Sequence, residues 1–432
     1  DENGFLFFLS QKIFYLIFIL TSGYIGFAAL RVNFNLVDGS SYIGRTLVPP
    51  QINNSPGLPY SDSVRNYAMI LGMERSPQGR LWISWVAGGD SELGYALIAY
   101  SDDQGMTWTP PTTVIDPHKN DIDGLPKWRV LVGNLWTDPQ GRLWFFFDYS
   151  WGYFDGRAGT WRMICENPDS NEPVWSEPER IWHGAVLNKP TVLSTGEWYL
   201  PISLWDRGKL TSYFSEANIG TEGYKTLVTD LDPYRGLNIF KSTDNGLTWN
   251  PLSRIVFPYP NFDEPMIIER GNGTLWITAR TGRGLYETIS VDRGTTWSSP
   301  VPTTTILHPP ARHFLRRLSS GNLLLVKHGE QVDCYANGTK EFTTERSHLT
   351  AFLSKDDGMT WQGGLLLDER MPVSYPDGTQ APDGTIFICY DYDRAVKREI
   401  LMAKFKEADV LARELVTEGS QLKMLVNKAT GP

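Results

Sequence analysis

The chain is 432 residues long with 41% hydrophobic and 21% charged residues, a globular composition that excludes a disordered chain. Its formal net charge of −9 argues against a binder of nucleic-acid backbones, which presents a basic face. The three cysteines, Cys165, Cys334 and Cys389, are far apart and form no C-x-x-C pair, which argues against a disulfide framework or a zinc ribbon.

The N-terminal stretch differs from the rest. Gln11-Lys12 is followed by the apolar run Ile13–Leu20 and then by small residues from Gly23 to Ala29. That layout is expected of a secretory signal over residues 1–29, directing the protein outside the cell or to the periplasm. A short membrane anchor and an intrinsic first element of the fold are the alternatives. Residues 30–432 are expected to form one domain, with no membrane span in the mature protein.

One hairpin then recurs along the chain. It reads Ser76-Pro77-Gln78-Gly79-Arg80-Leu81-Trp82, then Asp138-Pro139-Gln140-Gly141-Arg142-Leu143-Trp144, then Ser194-Thr195-Gly196-Glu197-Trp198. It returns as Gly271-Asn272-Gly273-Thr274-Leu275-Trp276, as Ser319-Ser320-Gly321-Asn322-Leu323, and as Pro382-Asp383-Gly384-Thr385-Ile386. Each copy is a turn with glycine at its tip, where positive φ is needed, followed by a β-rich run. Six copies predict six equivalent four-stranded antiparallel sheets set radially: an all-β, six-bladed β-propeller. Partly helix-like spacing over Ala412–Val426 predicts a short C-terminal helix on the rim.

A second repeat follows the hairpin in four blades. It is Ser101-x-Asp103-x-Gly105-x-Thr107-Trp108, recurring from Ser242 to Trp249, from Ser290 to Trp297 and from Ser354 to Trp361. The aspartate accepts backbone N–H groups across a turn, the glycine allows a left-handed residue, and the tryptophan packs between sheets. This box is structural. In a propeller the chemistry belongs near the axis, where loops converge.

Several chemistry-bearing residues lie at the ends of inner strands or in loops that should face the axis. In chain order they are Arg65, Asp90 with Glu92 nearby, Lys189, Glu264, Arg280, Arg312-His313, Arg316, Arg346, Tyr375 and the charged run Asp391-Tyr392-Asp393-Arg394. No Walker loop, Rossmann fingerprint, G-x-S-x-G or H-E-x-x-H motif appears, so nucleotide, serine-hydrolase and zinc-protease readings lose their support. No cofactor is called for, and a structural calcium ion would leave no mark in this sequence.

The S-x-D-x-G-x-T-W boxes resemble the Asp-box of the sialidase (neuraminidase) superfamily. The blade-IV pattern Glu264, apolar strand, Gly273 turn, second strand, Arg280 is similar to that family's fourth blade. The resemblance implies an exo-α-sialidase that releases terminal sialic acid with retention. Tyr375 would be the nucleophile, polarised by Glu264, because a second carboxylate would repel the substrate's own. Asp90 would be the acid/base, with Glu92 as the fallback. Arg65, Arg280 and Arg346 would clamp the carboxylate, since a guanidinium stays charged and donates in a planar fork. The partner would be a glycan ending in an acidic sugar. A second reading uses His313 with Arg312, Arg316 and Lys189 on a uronate-containing glycan, by hydrolysis or lyase chemistry. A third is a non-catalytic glycan-binding propeller.

Overall fold

The computed structural model describes residues 47–121, 127–151, 159–206, 229–330 and 345–432. The expected signal at residues 1–29 lies outside the described residues, as does Cys334.

Six four-stranded antiparallel sheets succeed one another along the chain, so the predicted propeller is present. Blade I is Met69–Arg75, Leu81–Ala87, Tyr95–Ser101 and Thr113–Ile115. Blade II is Gly133–Thr137, Leu143–Asp148, Thr160–Cys165 and Glu179–Trp182. Blade III is Thr191–Val192, Trp198–Leu204, Gly236–Ser242 and Asn250–Ile255. Blade IV is Asp263–Glu269, Leu275–Thr281, Gly284–Ser290 and Val301–Pro302. Blade V is Phe314–Arg317, Leu323–His328, Leu349–Ser354 and Gln362–Asp368. Blade VI is Val373–Gln380, Ile386–Tyr392, Glu399–Phe405 and Gln421–Lys428. The first strand of each blade is the innermost. All six predicted tip glycines join the first strand to the second, with φ between 82° and 112°.

The four boxes close as expected. In blade I, Asp103 accepts from the Thr107 amide at 2.8 Å and the Thr107 hydroxyl at 2.6 Å, while the Ser101 hydroxyl accepts from the Gly105 amide at 2.8 Å. Each box also packs against the preceding blade: a Cβ on Gly246 would meet Trp144 at 2.6 Å, and one on Gly358 would meet Trp276 at 2.6 Å. Blade VI substitutes the short helix Glu407–Ala412, whose buried Asp409 accepts from the Val416 and Thr417 amides, both at 2.7 Å.

The expected short C-terminal helix is present but lies earlier in the chain, at Glu407–Ala412, and within the segment assigned to it, Ala412–Val426, the outer strand of blade VI, Gln421–Lys428, begins. The strand pairs antiparallel with Glu399–Phe405, and a positive φ at Lys423 sends Leu422 to one apolar cluster and Met424 and Val426 to another.

The core lies between blades. One apolar cluster joins blade I to blade VI through Ile83, Trp85, Phe387, Cys389 and Met402, and so closes the ring. Hydrogen bonds reinforce that seam, from the Ala68 amide to the Arg394 carbonyl at 3.1 Å and from the Met73 amide to Asp377 at 2.9 Å. Among the described residues no helix is long and apolar enough to cross a membrane.

Candidate active site

Two innermost strands open on the same irregularity. In blade IV the pairing slips between Asp263 and Met266, and in blade VI between Ser374 and Asp377. Each slip contains a proline, Pro265 or Pro376, which has no N–H to give to the ladder. The residue before it takes a left-handed backbone: φ is 43° at Glu264 and 56° at Tyr375. Bulges of this kind re-aim side chains, and non-glycine residues held there store on the order of 1–3 kcal/mol each. They turn Glu264 and Tyr375 toward one another.

Glu264 is fully buried, and its Oε1 accepts from Arg280 Nη1 at 3.0 Å. Burial alone would raise its carboxyl. The cations Arg280, Arg312 and Arg346 and a hydrogen bond from Tyr375 outweigh that and hold it below the ordinary range. The Tyr375 phenol moves the other way: burial and the Glu264 charge raise it, against Arg280, Arg394 and Arg346. The resting pair is therefore a neutral phenol beside a carboxylate.

Cations surround the Tyr375 ring. The guanidinium carbons of Arg394, Arg346 and Arg312 lie 4.2, 5.8 and 5.8 Å from its centroid. Arg346 is tied to the same strand, its Nη1 donating to the Ser374 hydroxyl at 2.8 Å and its carbonyl accepting from the Val373 amide at 2.8 Å. Asp90 stands at the rim, 47% exposed, with Oδ2 4.0 Å from Arg394 Nη1. Its loop needs Gly88, at φ 84°, because a Cβ there would meet the Leu93 carbonyl oxygen at 2.0 Å. Glu92 is exposed on the outer part of that loop, its carbonyl 3.0 Å from the His118 ring.

Arg65 does not join this group. It is 1% exposed, with Nε donating to the Tyr60 carbonyl at 3.1 Å and Nη2 to Asn427 at 2.9 Å, and it also pairs with Asp62. Its own carbonyl accepts from the Gly431 amide, so this arginine pins the two ends of the described chain together. The Arg65-Asn66-Tyr67 segment directs it to the flank of blade I, over Trp85, instead of to the axis.

The residues of the second reading do not form one site. His313 is fully buried, its Nε2 is 2.7 Å from the Thr278 hydroxyl, and burial pushes it down to about 3, so it is neutral. Lys189 is consumed on the axis by the Met73 and Leu135 carbonyls, both at 2.6 Å, and by Asp377 at 3.0 Å. Arg312 lies in the same network, bonded to Asn188 at 3.0 Å and the Leu71 carbonyl at 2.9 Å. Arg316 opens on the opposite mouth, lining a cavity of about 390 Å³ with Lys189, Thr137, Glu269 and Arg317. That cavity does not reach Tyr375 or Glu264.

Sequence reasoning gave no role to Asp263, Asp391 or Arg394. Asp263 adjoins Glu264 and is 4% exposed; burial and the Glu264 charge push its carboxyl up to about 7. Asp391 is 1% exposed and accepts from Arg394 Nε at 2.9 Å. For Asp391 and Arg394 the signal was the charged run closing the sixth hairpin, at the end of the propeller where the other candidates lie, and for Asp263 it was its place beside Glu264.

Six radial sheets, Asp-box clips and an axial tyrosine–glutamate–arginine cluster define a sialidase-type β-propeller. Residues 79–388 match the BNR repeat-like domain, and the chain belongs to that family. A curated sialidase of Bacteroides fragilis (strain YCH46) is 23% identical over 291 residues, covering 65% of this chain and 47% of that protein. The chain thus spans about half the length of that relative. Among solved structures, a Hadza microbial sialidase superposes with a TM-score of 0.56 at 20% identity, over 80% of this chain and 66% of that one. The intramolecular trans-sialidase from Ruminococcus gnavus gives 0.56 at 14% identity, over 82% and 97%. At such identities the likeness is one of fold.

Proposed function

We propose that the protein is a retaining exo-α-sialidase. The observation that carries this reading is the meeting of Tyr375, Glu264 and Arg280 at two strained bulges on the propeller axis. The named relatives, sialidases and a trans-sialidase, are consistent with it.

The chemistry follows from the charges. A neutral phenol is a weak nucleophile, and Glu264 is an unprotonated base beside it. As the Tyr375 oxygen bonds to the anomeric carbon, its proton passes to Glu264. The glycosidic bond breaks, and the departing oxygen takes a proton from Asp90. Water then attacks the same carbon and yields its proton to Asp90. The tyrosyl bond breaks, Tyr375 recovers its proton, and two inversions give retention. A tyrosine nucleophile avoids placing a second anion against the carboxylate of the sugar. Arg280 and Arg346 bind that carboxylate and offset the charge that develops on Tyr375.

The test is release of methylumbelliferone from its α-sialoside. Wild-type turnover, abolished in Tyr375→Phe and Asp90→Ala, is the expected result. Binding of sialic acid without turnover would replace this reading by a glycan-binding propeller. Turnover of uronate-linked glycans only, lost in His313→Ala, would replace it by the second reading.

A further inference from the structure

Arg394 sits in the turn after the second strand of blade VI, and its guanidinium is prepared in three ways. Its Nε is held by Asp391 at 2.9 Å, and Asp391 is itself fixed by the Ile70 amide of blade I at 3.2 Å. Its guanidinium carbon lies 4.2 Å from the Tyr375 ring centroid, the nearest of the arginines around that ring. Its Nη1 is 4.0 Å from Asp90, while its Nη2 is buried and has no hydrogen-bond partner among the described residues. A buried, unpartnered donor on a charged group is costly to leave empty, and a carboxylate oxygen satisfies it best.

We propose that Arg394 is a substrate-binding residue that takes the role Arg65 cannot reach, with Asp391 as its positioning residue. The inference rests on the sialidase reading above. The anion site is then built by Arg280, Arg346 and Arg394, from blades IV, V and VI. Blade I contributes Asp90 to this site and keeps Arg65 for ring closure. The buried pair with Asp391 orients the guanidinium but leaves one edge for the ligand, a sugar carboxylate. Contact with Asp90 places the acid/base beside the same anion site.

The experiment compares the full-chain wild type with Arg394→Lys, Arg394→Leu, Asp391→Asn and Arg65→Lys. It measures kcat and KM on the methylumbelliferyl sialoside, and inhibition by N-acetylneuraminic acid and by its methyl ester. Arg394→Leu is expected to raise KM and the inhibition constant of the acid by about tenfold or more, with little change for the ester. Arg394→Lys is expected to fall between, and Asp391→Asn to raise KM more than it lowers kcat. Arg65→Lys is expected to lower the melting temperature and leave KM unchanged. Folded Arg394→Lys and Arg394→Leu proteins with wild-type KM and wild-type preference for the acid would overturn the inference while leaving the sialidase reading intact. Should Arg394→Leu fail to fold, Arg394→Lys decides by the same readouts. A wild type that neither hydrolyses the sialoside nor binds the acid would overturn both.

Discussion

Tyr375 and Glu264 occupy matching positions in blades VI and IV: each precedes a proline, each has positive φ, and each lies in the bulge opening an innermost strand. The two side chains therefore meet by one repeated backbone device. Glu264→Gln keeps the shape and removes the base. We expect kcat to fall about 10²- to 10⁴-fold with a smaller change in KM. Stopped or steady-state assays of the folded variant check this; wild-type kcat would remove Glu264 from the proton transfer. Because its carboxyl is held low, the acid limb due to Glu264 should lie below the ordinary glutamate value of about 4.3.

Asp263 should make stability depend on pH in the opposite sense. Burial and the neighbouring Glu264 charge push it up to about 7, whereas an unfolded aspartate titrates near about 3.9. The folded state then binds the proton more tightly, so this stabilisation is complete below about pH 4 and is lost as pH rises to about 7. Asp263→Asn should flatten that decline, gaining more over wild type at pH 8 than at pH 5. Denaturant titrations at both values measure it; equal differences at the two pH values would refute it.

Lys189 is expected to serve stability and not catalysis. Replacing it with methionine leaves Glu74 and Asp377, 2% and 1% exposed, without their shared cation. Removing one partner from a buried ion pair typically costs about 3–5 kcal/mol. Chemical denaturation should show a loss of that order, partly recovered by adding Glu74→Gln. A melting curve unchanged by Lys189→Met would show that the axial network carries no stability.

The boxes should be kinetically silent. Asp103→Ala removes the acceptor for the Thr107 amide and hydroxyl, on the face of blade I remote from Tyr375. A loss of about 1–2 kcal/mol with unchanged KM is expected. A changed KM would mean that the clip communicates with the site.

The fold was legible because its signals are local. Gly79 and its five counterparts mark the tight turns, and the four boxes mark the links after the third strands. Glu264, Arg280, Arg346 and Tyr375 could be assigned to blades from that frame, and they lie together. Arg65 was misplaced because the turn of the chain before Met69 depends on the distant partners Asn427 and Gly431, which no local pattern encodes. Arg394 was passed over for the same reason: its value depends on Asp391, Asp90 and Tyr375 meeting across the seam between blades VI and I. Lys189 and Arg312 looked like free axial cations because their anionic and carbonyl partners lie on other blades. The C-terminal helix was legible but not its bounds: Ala412–Val426 lacks a strand's alternation because a positive φ at Lys423 interrupts it, and the helix lies at Glu407–Ala412.

The most direct test of the central claim is to trap the intermediate. The protein is incubated with a sialosyl fluoride carrying a second fluorine beside the anomeric carbon, which slows breakdown of a glycosyl-enzyme, and is then digested and mapped by mass spectrometry. One sialyl adduct is expected, on the peptide containing Tyr375, absent from Tyr375→Phe. An adduct on another residue, or turnover of the sialoside by Tyr375→Phe at the wild-type rate, would contradict it.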